Sequence, residues 1–281
     1  MREWVIFPHA DKYTYSDKQL ADLWNDLHAG DRVPWPDAEW VAAQQAELPE
    51  EQRAGDSDEA LATACRNAWR AYHSGDFGSA VEQAEAIGIL AHAIANKATG
   101  IYADYLEDDE AEQQALYQSI IDRAETARKL LPNDPNSHYF HAYGLGRYSQ
   151  SISITKALRQ GLGGKVQKSL QTALSLNADH AEAHLAMALF HATVIDNVGK
   201  LVGGMTYGAS IDESLQHFER ALELAPQLPI IHIEHGNGIY LLYGDKQLDE
   251  MTAAYQKAVD LTPMDAMQHL DRDFAMSELE E

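Results

Sequence analysis

A helix-tail motif that recurs along the second half of the chain constrains its fold more than any other feature. The segments are Ala127-Arg-Lys-Leu-Leu-Pro132, Ala173-Leu-Ser-Leu-Asn-Ala178, Ala221-Leu-Glu-Leu-Ala-Pro226 and Ala258-Val-Asp-Leu-Thr-Pro263. Each sets a small residue in a last helical turn and closes on Pro or a polar turn before a new apolar helix. Self-similarity at a period of tens of residues is the mark of stacked supersecondary units, here helical hairpins. Within one unit Ile211, Leu215, Phe218, Leu222 and Ala225 fall on one face of a helix. The same spacing predicts helices near 57–74, 77–87, 89–105, 109–131, 135–153, 164–177, 180–197, 210–225, 229–243, 246–261 and 264–278. Strand patterning is confined to a candidate at Trp4–Phe7.

The first part of the chain is organised differently. Trp4, Phe7, Tyr13 and Tyr15 make residues 1–16 too apolar for a free tail, so an arm lying across the first helices is expected. Trp24-Asn-Asp-Leu-His28-Ala-Gly30-Asp31 is echoed by Trp69-Arg-Ala-Tyr-His73-Ser-Gly75-Asp76, and Gly244-Asp245 repeats the ending. In each, Gly suits a left-handed helix stop and Asp can cap the next helix. Glu47–Asp58, with Pro49 and Gly55, reads as a polar linker. The expected organisation is an aromatic arm and helical hairpin over 1–56, then a repeat domain over 57–281.

Charge narrows the partners. The 281 residues carry 44 acidic and 21 basic side chains, a formal net charge of −23. Nucleic acid and anionic membrane surfaces would be repelled. The excess serves solubility, or it selects basic protein partners. The single cysteine, Cys65, excludes an intramolecular disulfide and lies between Leu61 and Trp69 on a helix face, as a core residue does. The apolar run before Pro8 is too short for a signal-peptide core and no segment has membrane-span length, so a cytoplasmic location is expected.

No catalytic signature emerges, so the chain reads as non-enzymatic, with no cofactor. Gly161-Leu-Gly-Gly-Lys165 lacks the spacing and the preceding strand of a phosphate loop, and Val202-Gly-Gly-Met-Thr-Tyr-Gly208 lacks the dinucleotide fingerprint. Both read as glycine-bearing connections, the 198–210 stretch as a flexible one. Histidines number 13. His180 and His184 have the i, i+4 spacing of helical metal ligands, and His191 follows two turns after His184. His138/His141 and His232/His235 are further pairs, and Tyr139, His184 and His232 align in repeat register. No Cys or carboxylate is placed by motif to complete a ligand set, so packing between helices is the favoured role and no metal ligands are assigned.

Ala80, Ala124, Ala127, Pro132, Ala173, Phe218, Ala221, Pro226, Tyr255, Ala258 and Pro263 make the units resemble tetratricopeptide (TPR) repeats. Pro226 to Pro263 is 37 residues, whereas Pro132 to Ala178 is 46 and Ala178 to Pro226 is 48, the excess lying in the two glycine-bearing connections. The stretch from Leu201 through Gly203-Gly204-Met-Thr-Tyr-Gly208 to Pro226 resembles the regulator of microtubule dynamics family and its bacterial relatives, over about residues 57–265. More loosely, the chain is similar to the helical T-component of TRAP transporters. What these resemblances imply is an all-α, TPR-like right-handed superhelical array of helical hairpins; no matched residue carries a microtubule activity. TPR register implies a concave groove showing Phe140, Gly144, Arg147 and Tyr148, then Leu185, Leu189 and Thr193, then Ile233, Asn237 and Tyr240. The expected function is a protein-interaction scaffold holding a peptide or protein segment there. The alternative is a carrier of a small apolar ligand or metal. Self-association through the last helix, with Met264, Met267, Leu270, Phe274 and Leu279, is a further expectation.

Overall fold

A computed structural model describes residues 3–280 of the chain. Helices and turns account for all regular structure among the described residues. In order, the helices are α1 (Asp17–Leu27), α2 (Ala38–Glu47), α3 (Asp58–Ser74), α4 (Phe77–Ile87), α5 (His92–Tyr105), α6 (Glu110–Leu130), α7 (Pro135–Gln150), α8 (Ile154–Arg159), α9 (Leu162–Leu176), α10 (Ala181–Val198), α11 (Lys200–Tyr207), α12 (Ile211–Leu224), α13 (Pro229–Tyr243), α14 (Leu248–Asp260) and α15 (Ala266–Glu280). Several starts are set by side-chain caps that satisfy otherwise orphaned N–H groups. Ser57 accepts from Ala60 N, Asp76 from Ser79 N, Asp134 from Asn136 N and Ser210 from Glu213 N.

The chain divides into two compact units. The first comprises residues up to Asp26, Val33–Ser151 and Asp265–Met267; the second comprises Leu27–Arg32, Ile152–Met264 and the residues from Gln268. In the first, α2 to α7 pack in sequence order, each on the next. The aromatic arm lies across α3 and α4 as extended chain, without strand pairing at Trp4–Phe7. Phe7 is 1% exposed and its ring fills the place where a Cβ on Gly75 would sit, 2.5 Å away. Trp4 does the same over Gly78 and meets Tyr102 edge-on at 4.6 Å. The 47–58 stretch is polar but packed. Leu48 is buried with Val41, Leu61, Leu90 and Leu131, and the Gln45 side chain accepts the Ala54 N–H at 2.8 Å. Cys65 is buried, and burial pushes its thiol up to about 12.

In the second unit α10 is the central element, packing on α9, α11, α12 and α13. Its Leu185 and Ala188 join Phe218, Ala221, Leu228 and Ile231 in one core, which also takes Ala29. A second cluster joins Ile233, Tyr255, Ala258 and Ala275, with Phe274 and Leu279 against it. The last helix thus spends part of its apolar face within the unit.

Two glycine-bearing stretches expected as connections are helical. Residues 200–207 form α11, bounded by Gly199 and Gly208 at φ 81° and 66°. Residues 162–165 form the first turn of α9, after Gly161 at φ 64°. Packing outweighs the poor helix propensity of glycine in both. Gly203 closes against Val194, and Gly163 lies under the Tyr207 ring. The Gly-Asp device holds at Gly75 (φ 87°), where Asp76 caps α4. It differs at Gly30. There Arg32 takes the positive φ, and Gly30 is required because the Glu182 carboxylate stands 2.5 Å from a Cβ position. Asp31 pairs with buried His28 at 2.8 Å.

Gly238 marks the tightest crossing. A Cβ there would come within 2.1 Å of the Phe218 ring, itself 1% exposed. Overpacking a core site costs about 1–3 kcal/mol. Gly238→Ala should lower unfolding free energy by that amount in urea titrations, while Gly146→Ala, which meets nothing within 4 Å, should not.

Candidate functional site

The polar chemistry of the second unit converges on one cleft. It has a volume of about 650 Å³ and is lined by Gln167, Gln171, Leu174 and Ser175 of α9, Met187 and His191 of α10, Tyr207 and Gly208, and Glu213 and His217 of α12. The end of α11 is fixed at its rim. Gln167 donates to the Tyr207 carbonyl at 2.7 Å, and the Tyr207 ring meets Phe190 edge-on at 6.2 Å.

Three imidazoles meet here. His184 and His217 face each other through their Nδ1 atoms at 2.8 Å, and His191 stacks on His217 with ring centroids 6.2 Å apart. Hydrogen bonding sets the tautomers. His184 Nε2 donates to the Ala178 carbonyl at 3.0 Å, so in the neutral ring its Nδ1 is the acceptor. His217 Nδ1–H therefore donates to it, and the lone pair of His217 lies on Nε2. His191 Nδ1 accepts a long contact, 3.4 Å, from the Ser210 N–H. Glu213 stands one helical turn before His217. Ligating atoms of His191, Glu213 and His217 all lie within 4.8 Å of one another, a spacing able to hold a metal ion.

Burial dominates the electrostatics. It lowers the pKa of His184 and of His191, while the Ala178 carbonyl opposes the first shift and Glu213 the second. His217 is pushed down to about 4, by burial first and then by His184 and His191. All three rings are neutral at pH 7. The unfolded chain, with ordinary histidines near 6.5, takes up protons that the folded rings resist. Stability should therefore be complete above about pH 6.5 and should fall as pH drops toward 4. His217→Gln should make that loss shallower in urea midpoints measured across the window.

The other expected histidines are elsewhere. His180 caps α10, its Nδ1 accepting the Ala183 N–H at 3.1 Å, so the i, i+4 pair with His184 is not a ligand pair. The repeat-equivalent residues are His138, His184 and His232, not Tyr139. Each ring bonds through Nε2 to the carbonyl six residues before it, at Pro132, Ala178 and Pro226, over 2.8–3.0 Å. This clamp holds the turn between hairpins. Glu213 and His217 escaped the sequence reading, although their i, i+4 spacing on an amphipathic helix was a usable signal.

The expected groove residues divide by burial. Phe140, Leu185 and Ile233 are buried, at 2%, 5% and 1% exposure. Leu189 packs on the core of the second unit, and Gly144 is buried against Ile120 and Ile121. Arg147, half-buried, pairs with Asp104 at 3.0 Å, where the Tyr117 and Tyr143 hydroxyls also donate at 2.7 Å. Tyr148 and Thr193 are half-buried. Asn237 accepts from the Tyr255 hydroxyl at 2.6 Å, and Tyr240 is exposed.

Paired helices, buried small residues at their crossings and clamped turns define a TPR-like helical-repeat protein. A thermophilic TPR protein of Thermus thermophilus has a similar solved structure, with a TM-score of 0.55 and 16% identity, over 77% of this chain and 99% of that one. The family model for regulator of microtubule dynamics protein 1-3 matches residues 79–232, more than half of the sequence, and the chain belongs to that family. A search of curated protein sequences finds no match. Among the described residues no helix is long and apolar enough to cross a membrane.

Proposed function

We propose that this protein is a non-enzymatic interaction scaffold that holds a basic, apolar-faced segment of a protein partner. TPR-like folds generally mediate protein–protein interaction. The observation that carries the choice of partner is the outer face of α11. Leu201, Val202 and Met205 are 76%, 52% and 82% exposed on a helix whose other side is anchored at Gly203 and Tyr207. Clustered exposed apolar side chains on a well-held element mark interaction sites. Methionine suits such a surface because it adapts to different partners.

Charge supports a basic segment. Asp196 and Asp212, both exposed, flank the insert in sequence, and the chain as a whole carries −23. Opposite charge speeds encounter and rejects acidic competitors. Within the same unit Asn237 and Tyr240, which keep some exposure, are members of the expected groove able to contribute. A small apolar ligand is less well supported, because Gln167, Gln171, His191, Glu213 and His217 make the cleft polar.

The reading is tested with a displayed peptide library selected on the full chain and counter-selected on the double variant Leu201→Asp, Met205→Asp. Selected peptides should be basic with an apolar face, and the double variant should bind them roughly 10–100-fold more weakly at unchanged helicity. Selection of acidic peptides, or equal affinity for both proteins, would refute it.

A further inference from the structure

The geometry points to a divalent transition-metal site, with zinc as its natural occupant, formed by His191 of α10 and by Glu213 and His217 of α12. Two imidazoles and one carboxylate are a ligand set that zinc accepts, with a further position left for solvent or an entering donor. The three ligating atoms already lie within 4.8 Å of one another, so small side-chain rotations bring them to a common centre. Glu213 and His217 share one helix face at i, i+4, and His191 approaches from the neighbouring helix. The cleft of about 650 Å³ gives an ion entry.

A supporting partner is present as well. Metal-bound imidazoles characteristically give their other N–H to an acceptor that fixes tautomer and ring orientation. His184 does this for His217. The Ala178 carbonyl holds the His184 proton on Nε2, His184 Nδ1 accepts the His217 Nδ1–H at 2.8 Å, and Nε2 of His217 is left to ligate. His184 is thus a positioning residue. The contact that His191 receives from Ser210, at 3.4 Å, is at the outer limit of hydrogen bonding, and metal coordination would take its place. The site does not rest on the partner reading above, since none of its three ligands lies on α11.

Zinc is the probe. Full-length protein, stripped with chelator, is titrated with zinc(II) against a chromophoric competitor, and cobalt(II) reports geometry by its visible absorption. Wild type should bind a single tight equivalent, and cobalt should give a spectrum of nitrogen and oxygen ligation at low coordination number. His217→Ala and Glu213→Gln should each weaken zinc by more than about 100-fold, and His184→Ala by about 10–100-fold with an altered cobalt spectrum. Glu213 is exposed, so Glu213→Gln keeps its fold and decides the matter should a histidine variant unfold. Absence of tight zinc binding by wild type, or unchanged affinity in Glu213→Gln, would overturn the proposal.

Discussion

Close approach of helix backbones at their crossings is the constraint on which the rest of this structure depends. Ala62, Ala80, Ala124, Ala173, Ala188, Ala221 and Ala258 are fully buried where helices meet, Gly144 lets Ile120 and Ile121 close in, and Gly238 admits a Phe218 ring that a Cβ would clash with. Without a side chain between them, two helices gain contact along their whole length, and aromatic residues such as Phe218 and Tyr255 fill the space beside the crossing. The hairpin turns follow from the same requirement. A turn must return the chain at a fixed angle, and after α6, α9 and α12 a histidine from the next helix holds a turn carbonyl in place.

Much of this architecture was legible in the sequence because it is local. The tail motif ending at Pro132, Ala178, Pro226 and Pro263 marks helix ends through residues that cannot continue a helix or that close one, and the observed helices end there. The arm was legible from its aromatic content, since Trp4 and Phe7 need a covered surface. What was hidden is decided by contacts across the chain. Residues 200–207 look like a loop by propensity, yet Gly203 against Val194 and Tyr207 against Gly163 make helix the better-packed state. Gly30 looks like a helix stop, yet the Glu182 side chain is what demands glycine there.

The histidine cluster was half legible for the same reason. His184 and His191 lie on one helix and their spacing is visible, whereas His217 and Glu213 arrive from another helix. Their meeting is a property of α10 packed on α12. Once assembled, the cluster is held by neutral hydrogen bonds, because burial makes charge on three neighbouring rings costly. A strongly acidic chain thereby keeps a small, uncharged set of nitrogen donors beside a single carboxylate.

The turn clamp has an implication for how such a chain can acquire new chemistry. Seven residues beyond each clamping histidine stands a core position, occupied by buried Leu145 after His138 and buried Ile239 after His232, but by His191 after His184. In two of the hairpins the imidazole braces a carbonyl. In the third, one exchange of an aliphatic residue for a second ring, beside a third ring on the adjoining helix, turns the brace into part of a donor cluster. Because each hairpin of a repeat array rests chiefly on its immediate neighbours, one module can be re-equipped in this way while its siblings remain purely architectural.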